Sequence, residues 1–274
     1  MCRVLRVSRS GFYAWCRRPE SNHARTDRKL SVLVRAAHEA GRCYYGSPRV
    51  HRELRAQDVR VSRKRVVRLM QAQNLVARKR KRFSNTTKSD PSHPVAENLL
   101  GRDFSAPGPN QRWAGDATEL VIGGTAKLYL AVIIDLYSRM AVGWAVSVSN
   151  DRFLAIRALE NAIKRRCPKE GLLHHSDRGS TYTSEDYRRL LESQGIVCSM
   201  SRRGNCIDNA AMESWFSTLK SELGARFESF AQAKEELFDY IEVFYNQKRR
   251  HSSLDYVSPA EYERQTRGTV SQAA

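Results

Sequence analysis

Two carboxylates stand beside apolar runs and a third stands near a helix start, a set that could hold a divalent cation. Asp177 lies in His174-His175-Ser176-Asp177-Arg178-Gly179-Ser180, which follows Gly171-Leu172-Leu173 as a carboxylate follows a buried strand. Asp116 lies in Trp113-Ala114-Gly115-Asp116-Ala117-Thr118, which runs into Leu120-Val121-Ile122 and reads as a first strand. Glu213 belongs to Cys206-Ile207-Asp208-Asn209-Ala210-Ala211-Met212-Glu213-Ser214. There Asp208 or Asn209 is placed to cap a helix. Met212, Trp215, Phe216, Leu219 and Leu223 follow as an apolar stripe at spacings of three and four. Glu213 falls beside that stripe and shares a face with Asn209, Ser217 and Lys220. Three acids from separate elements suit Mg²⁺, which prefers oxygen ligands, and Mn²⁺ could substitute. Imidazole suits softer metals, so His174 and His175 read as structural or supporting groups, with Ser176 and Asn209 also behind the acids.

The elements that must position these acids alternate in period along residues 113–245. Trp113–Ile122, a Gly123-Gly124 turn, Leu128–Leu136 and Met140–Val148 read as an antiparallel meander. Asp135, at the end of the second strand, reads as a turn residue with Ser138 and Arg139. A helix over Arg152–Arg166, a strand over Leu172–His175, a helix over Ser184–Gln194 and a strand over Ile196–Met200 follow. The Asn209 helix comes next, and helical patterning resumes over Phe230–Tyr245. This order predicts an α/β unit, a mixed five-stranded sheet with flanking helices.

Charge divides the chain. Of its 274 residues, 1–89 carry 24 Lys and Arg against 5 Asp and Glu, a balance of +19, while 90–274 carry 23 against 24. Basicity confined to one third points to a polyanion-binding module, and no apolar anchor accompanies it, so nucleic acid is favoured over a membrane surface. Within residues 1–78, an aromatic-bearing run at 1–19 reads as the end of a small helical unit, and 27–40 as a helix. Ser47 and Pro48 open another helix, with Val50 and Leu54 inward and Arg49 outward. After a break at Asp58–Val61, Ser62 caps a helix whose inner side is Val66, Leu69 and Met70. Arg63, Lys64, Arg65 and Arg68 fill its other side, as in a helix-turn-helix-like all-α domain whose second helix enters a major groove. A solvated basic helix is the plainer alternative. His51 reads as structural or as a phosphate contact.

Residues 79–94 have the composition of a linker, with a basic run at 78–82 that either tracks phosphates or is solvated. Residues 95–262 then form the catalytic unit and 263–274 a flexible tail. The six cysteines include no Cys-x-x-Cys pair, which argues against a disulfide framework and a structural zinc site. The longest apolar stretch, Leu128–Ile134, is too short to span a bilayer, and no secretory leader is visible at the N-terminus, so the expected location is the cytoplasm.

The ordered motifs Trp113-x-x-Asp116-x-Thr118, His175-Ser176-Asp177-x-Gly179-x-x-Tyr182 and Gly204-Asn205-Cys206-x-Asp208-Asn209-Ala210-x-x-Glu213 extend to Lys220, Tyr245-Asn246-x-x-Arg249-x-His251 and Ser258-Pro259. Over nearly its whole length the chain thereby resembles the OrfB transposases of bacterial insertion sequences, among the DDE transposases and retroviral integrases. It departs from that pattern at Glu119 and Ile207, where the family usually has an aromatic residue. The resemblance implies a ribonuclease-H-like core, Asp116, Asp177 and Glu213 as catalytic and Mg²⁺-binding acids, and Lys220 as a DNA contact near the scissile end. It implies binding of double-stranded DNA at element ends and target, strand cleavage and joining of 3′-hydroxyls. It further implies a homo-oligomer on DNA, work in fusion with an upstream OrfA product, and a bacterial, nucleoid-associated setting. Two rivals are a structure-selective nuclease of the same fold and a non-catalytic DNA-binding relic. Glu222, nine residues after Glu213 and half a turn from its face, is expected to be silent.

Overall fold

The computed structural model describes residues 2–77, 96–202 and 205–271, in two compact units that divide after Arg78. The expected linker, 79–94, lies outside the described residues, as does the basic run at 78–82.

The first unit is all helical: α1 (Arg9–Arg17), α2 (Asn22–Ala40), α3 (Ser47–Ala56) and α4 (Arg63–Ala72). Ser8, Ser21 and Ser62 cap α1, α2 and α4, each hydroxyl accepting a backbone N–H three residues on. Helix α3 departs from expectation. Gly46, not Ser47, is its N-cap, and Ser47 and Pro48 are the first helical residues. Val34, Ala37, Val50, Leu54, Val66, Leu69 and Met70 form the buried interior of α2–α4. His51 fixes the turn into α4 through its Nε2 and the Val61 carbonyl, 2.9 Å apart, so it is structural.

The second unit contains β1 (Arg112–Ile122), β2 (Ala126–Asp135), β3 (Ala141–Ser147), α5 (Arg152–Arg166), β4 (Leu173–Ser176), α6 (Ser180–Thr183), α7 (Glu185–Ser193) and β5 (Val197–Met200). It continues with α8 (Ala210–Glu222), β6 (Arg226–Phe227), α9 (Phe230–Phe238), a π-helical stretch over Asp239–Tyr245, and α10 (Pro259–Ser271). The sheet runs β3-β2-β1-β4-β5, with the first three antiparallel and β4 and β5 parallel to β1. That is the ribonuclease-H-like arrangement. The short β6 adds a parallel ladder at the far end of β1, too brief for any periodicity to signal.

Apolar residues of the sheet and of α5 and α7 close the core, with Trp113, Ile133, Val142, Leu159, Leu172, Tyr187 and Leu191 buried together. Helix α5 lies directly on β3. A Cβ on Gly143 would stand 2.3 Å from the Ala158 carbonyl oxygen, so only glycine permits that approach.

The C-terminal third wraps back onto the sheet. Asn246 both accepts from the backbone N–H of Ala141 and donates to its carbonyl, each at 3.0 Å. Residues from 263 on, expected as a tail, instead continue α10 through Ser271. Glu263 holds Arg166 bidentately at 2.8 and 2.9 Å and accepts the Ser138 hydroxyl at 2.6 Å, all in the interior. Asp135 does hold its turn, accepting from the backbone N–H of Tyr137 at 2.9 Å and of Asn110 at 2.7 Å.

Candidate active site

Strand register brings the first two acids together. Gly115 pairs with Ser176 across the parallel β1–β4 ladder, and each is followed at once by an acid, Asp116 and Asp177. The pleat alternates: Trp113 and Ala117 pack toward α5, so Asp116 projects from the other face, where α8 lies against β1. Burial raises the pKa of Asp116 well above the usual carboxylate range, and the charges of Asp177 and Glu213 raise it further. The Ala117 N–H, 2.7 Å from Asp116 Oδ1, acts in the opposite sense. Asp177 is also raised by burial, against a bond from the Gly179 N–H to its Oδ1 at 2.9 Å.

Glu213, half-buried in the first turns of α8, acts electrostatically on Asp116. Lys220 lies farther along the same helix. Burial lowers its pKa, while Glu119 and Asp116 support its charge. Among the described residues, no three His, Cys, Asp or Glu side chains form a preassembled metal-binding cluster. The three acids are drawn to one locality, Asp116 sensing the charges of both Asp177 and Glu213.

The neighbouring groups are polar and buried. His175 bridges the β5 end, with Nδ1 2.9 Å from Ser199 Oγ and Nε2 3.1 Å from Ser201 Oγ. Burial holds its pKa down at about 4. His174, held down to about 3 by burial and then by His175, meets the Tyr187 hydroxyl at 2.7 Å and lies beneath Gly115. Both imidazoles are therefore neutral at pH 7. Ser176 donates to the Asp177 carbonyl at 3.1 Å. Asn209, 5 % exposed, is the N-cap residue of α8, yet its side-chain amide has no partner among the described residues.

Neither expected cap serves α8 with its side chain. Asp208 turns away to accept from Arg202, Arg102 and Asn98. Residues 206–209 form a 3₁₀ turn instead. Ser199 and Ser201 escaped the sequence reading, since isolated serines two apart, one in a short strand and one just past it, carry no signal.

In the helical unit the expected DNA contacts part company. Arg65 Nε meets Asp27 Oδ1 at 2.7 Å and its Nη2 meets Thr26 Oγ1 at 3.0 Å. Arg68 bonds the other Asp27 oxygen. Both arginines brace α4 against α2. Arg63 and Lys64 are exposed, and Arg49 lies over the Tyr45 ring, 5.6 Å from its centroid.

Family models for an integrase core domain match residues 106–206 and 213–266, and one for an HTH-like domain matches 25–83. The chain is 42 % identical to the transposase InsF of insertion sequence IS3A from Escherichia coli strain K12 over 267 residues, 96 % of this chain and 92 % of that protein. It is 41 % identical over 264 residues to an uncharacterized 31 kDa protein of insertion element IS600 from Shigella sonnei, covering 96 % and 97 %. Among solved structures it is similar to the HTLV-2 integrase catalytic core domain in complex with magnesium, at a TM-score of 0.43 and 17 % identity over 58 % of this chain and 99 % of that one. With an integrase core, an HTH-like domain and relatives matched along almost their whole length, the chain belongs to the insertion-sequence transposases.

Proposed function

We propose that this transposase cleaves insertion-sequence ends and joins their 3′-hydroxyls to target DNA with Asp116, Asp177 and Glu213 as its catalytic acids. The observation that carries this reading is the parallel register, which sets Asp116 and Asp177 at the same level of adjacent strands with Glu213 acting on Asp116. The donor set fits Mg²⁺ or Mn²⁺: all three acids offer hard oxygens, and the charges of Asp177 and Glu213 both act on the buried Asp116. When bound, divalent cations supply a nucleophile at neutral pH and neutralise charge on the transferring phosphoryl group. The chain's own share is positional. Asp116, within β1, and Asp177, directly after β4, would hold the cation, and Glu213 would join them from α8. Lys220 places an ammonium near the scissile phosphate, and His175, Ser176 and Asn209 steady the acids. The protein works as a homo-oligomer on duplex DNA in the nucleoid-associated cytoplasm, in fusion with an upstream OrfA product.

A single-turnover assay with a labelled terminal duplex and Mg²⁺ tests the reading. Cleaved and joined products are both expected. Cleavage without joining would indicate a nuclease, and binding without either a non-catalytic relic.

For the helical unit, the expected contacts are Arg63, Lys64 and Arg49, with Arg65 and Arg68 drawn off by Asp27. The double change Arg63→Ala/Lys64→Ala should weaken DNA binding and reduce its salt dependence by about one unit of slope per lost phosphate contact, with melting unchanged. Arg65→Ala should instead lower the melting temperature, because Asp27 loses a partly buried partner. A gel-shift salt series and a thermal melt on each variant decide it.

A further inference from the structure

Resting on the reading above, we propose that Arg102, Arg178 and Arg202 form a collar beside the acids that grips the backbone phosphates of the DNA strand to be cut. None of the three belongs to the basic helical unit, and residues 90–274 balance at 23 Lys and Arg against 24 Asp and Glu. A positive cluster at this place is therefore a local construction and not a by-product of composition.

Asp208 builds it. Its side chain is fully buried, and it accepts Arg202 through the backbone N–H at 3.0 Å, Nε at 2.9 Å and Nη2 at 3.0 Å. It also accepts Arg102 Nε at 2.8 Å and Asn98 Nδ2 at 3.0 Å. These bonds, those from Arg202 foremost, hold its carboxyl far below the usual range, so it is ionised at any working pH. One carboxylate needs one guanidinium for charge balance, and here it holds two. Their side chains remain 42 % and 55 % exposed, Arg102 and Arg202 respectively, so guanidinium edges not used by Asp208 face solvent. Arg178 joins through Nε to the carbonyl of Ser201, next in sequence to Arg202.

Chain neighbours and one backbone bond tie the cluster to the segments that carry the acids. Arg178 directly follows Asp177, and Asp208 directly precedes Asn209 at the start of α8. Ser201 is tied to the end of β4 by its backbone N–H and the Ser176 carbonyl, 3.0 Å apart. Three guanidiniums against one buried carboxylate leave a net positive patch within a few residues of two catalytic acids. Arginine matches phosphate oxygens bidentately, and side chains already pinned by a carboxylate lose less freedom when they bind. The patch thus answers a need of the chemistry, since a cluster of acids otherwise repels the backbone it must cut.

The test uses the full chain with Ca²⁺ in place of Mg²⁺ and a random-sequence duplex. Arginines are labelled with a dicarbonyl reagent with and without DNA and read by peptide mass spectrometry. Arg102, Arg178 and Arg202 should label severalfold more slowly with DNA. Arg165, 44 % exposed and paired with Glu242, is the matched control and should not change. Protection of the collar no greater than that of Arg165, with arginines of the helical unit still protected, overturns the collar and leaves DNA binding standing. No protection anywhere and no gel shift overturn both readings. Arg102→Gln, which leaves Arg202 on Asp208, should lower the salt slope of binding by about one. An unchanged slope in the folded variant also overturns the collar, and should the variant unfold, the labelling of the unaltered chain decides.

Discussion

Replacing Glu213 by Gln leaves DNA binding intact and slows cleavage and joining by about a thousandfold or more, equivalent to roughly 4 kcal/mol of lost transition-state stabilisation. Gln keeps the side chain's volume and hydrogen-bonding reach, so what disappears is one negative charge. That charge acts on Asp116, whose pKa Glu213 helps to raise, and the acids together create the demand for a cation. With one acid gone, Asp116 ionises more readily, but the site has one fewer anionic ligand for a metal. The basic helical unit is untouched, so a gel shift should show equal or slightly tighter binding. A single-turnover assay with Mg²⁺ reads both chemical steps, and near-normal rates for Glu213→Gln would remove Glu213 from the catalytic set.

Glu222→Gln is expected to unfold the protein more easily, by about 3–5 kcal/mol, without altering the chemistry of the molecules that remain folded. Helical geometry marks Glu222 as a bystander to the chemistry, half a turn from Glu213, and the side of α8 opposite Glu213 adds a structural role. Glu222 and Arg249 form a bidentate pair at 2.7 and 2.8 Å with side chains only 9 % and 5 % exposed. The Tyr240 hydroxyl donates to the same carboxylate at 2.7 Å, and Arg249 Nη1 lies 3.1 Å from His251 Nε2. Gln fills the same space but leaves the Arg249 charge buried without its counter-charge. Urea denaturation of Glu222→Gln, Arg249→Met and the double variant measures the pair. The double variant should recover part of the loss, because no uncompensated charge remains. A Glu222→Gln midpoint equal to the parent's would show that the buried pair contributes nothing.

These two glutamates show what the sequence can convey. Asp116 and Asp177 are legible because buried strands announce themselves as apolar runs and a carboxylate at such an edge stands out. Glu213 is legible because the stripe from Met212 to Leu219 fixes which face of α8 is covered by the sheet. Periodicity marks a packed stripe, however, and not its partners. Glu222 lies on that same stripe, seven residues after Trp215, and Tyr240 and Arg249 cover it there. The same limit hid Asp208, a good local cap on paper that Arg102 reaches from 106 positions away. It also hid the engagement of Arg65 and Arg68 with Asp27, where a basic helix face reads equally well as a DNA surface or as a brace. Local pattern proposes a partner, and long-range charge pairing then competes for it.

The contact between α10 and α5 has a genetic consequence. Arg166, with its side chain 9 % exposed, relies on Glu263 for both ends of its guanidinium, and Asp135 at the end of β2 lies within 3.5 Å of the same group. A reading frame that stops or shifts before codon 263 removes Glu263 and leaves the buried Arg166 with the longer contact to Asp135 and the amide of Asn110. Nonsense and frameshift lesions after codon 263 spare this contact, whereas those just upstream should impair a copy even though every proposed catalytic acid is still encoded. Decay of such a gene is thus exposed to lesions about fifty codons downstream of Glu213, the last of the three proposed acids.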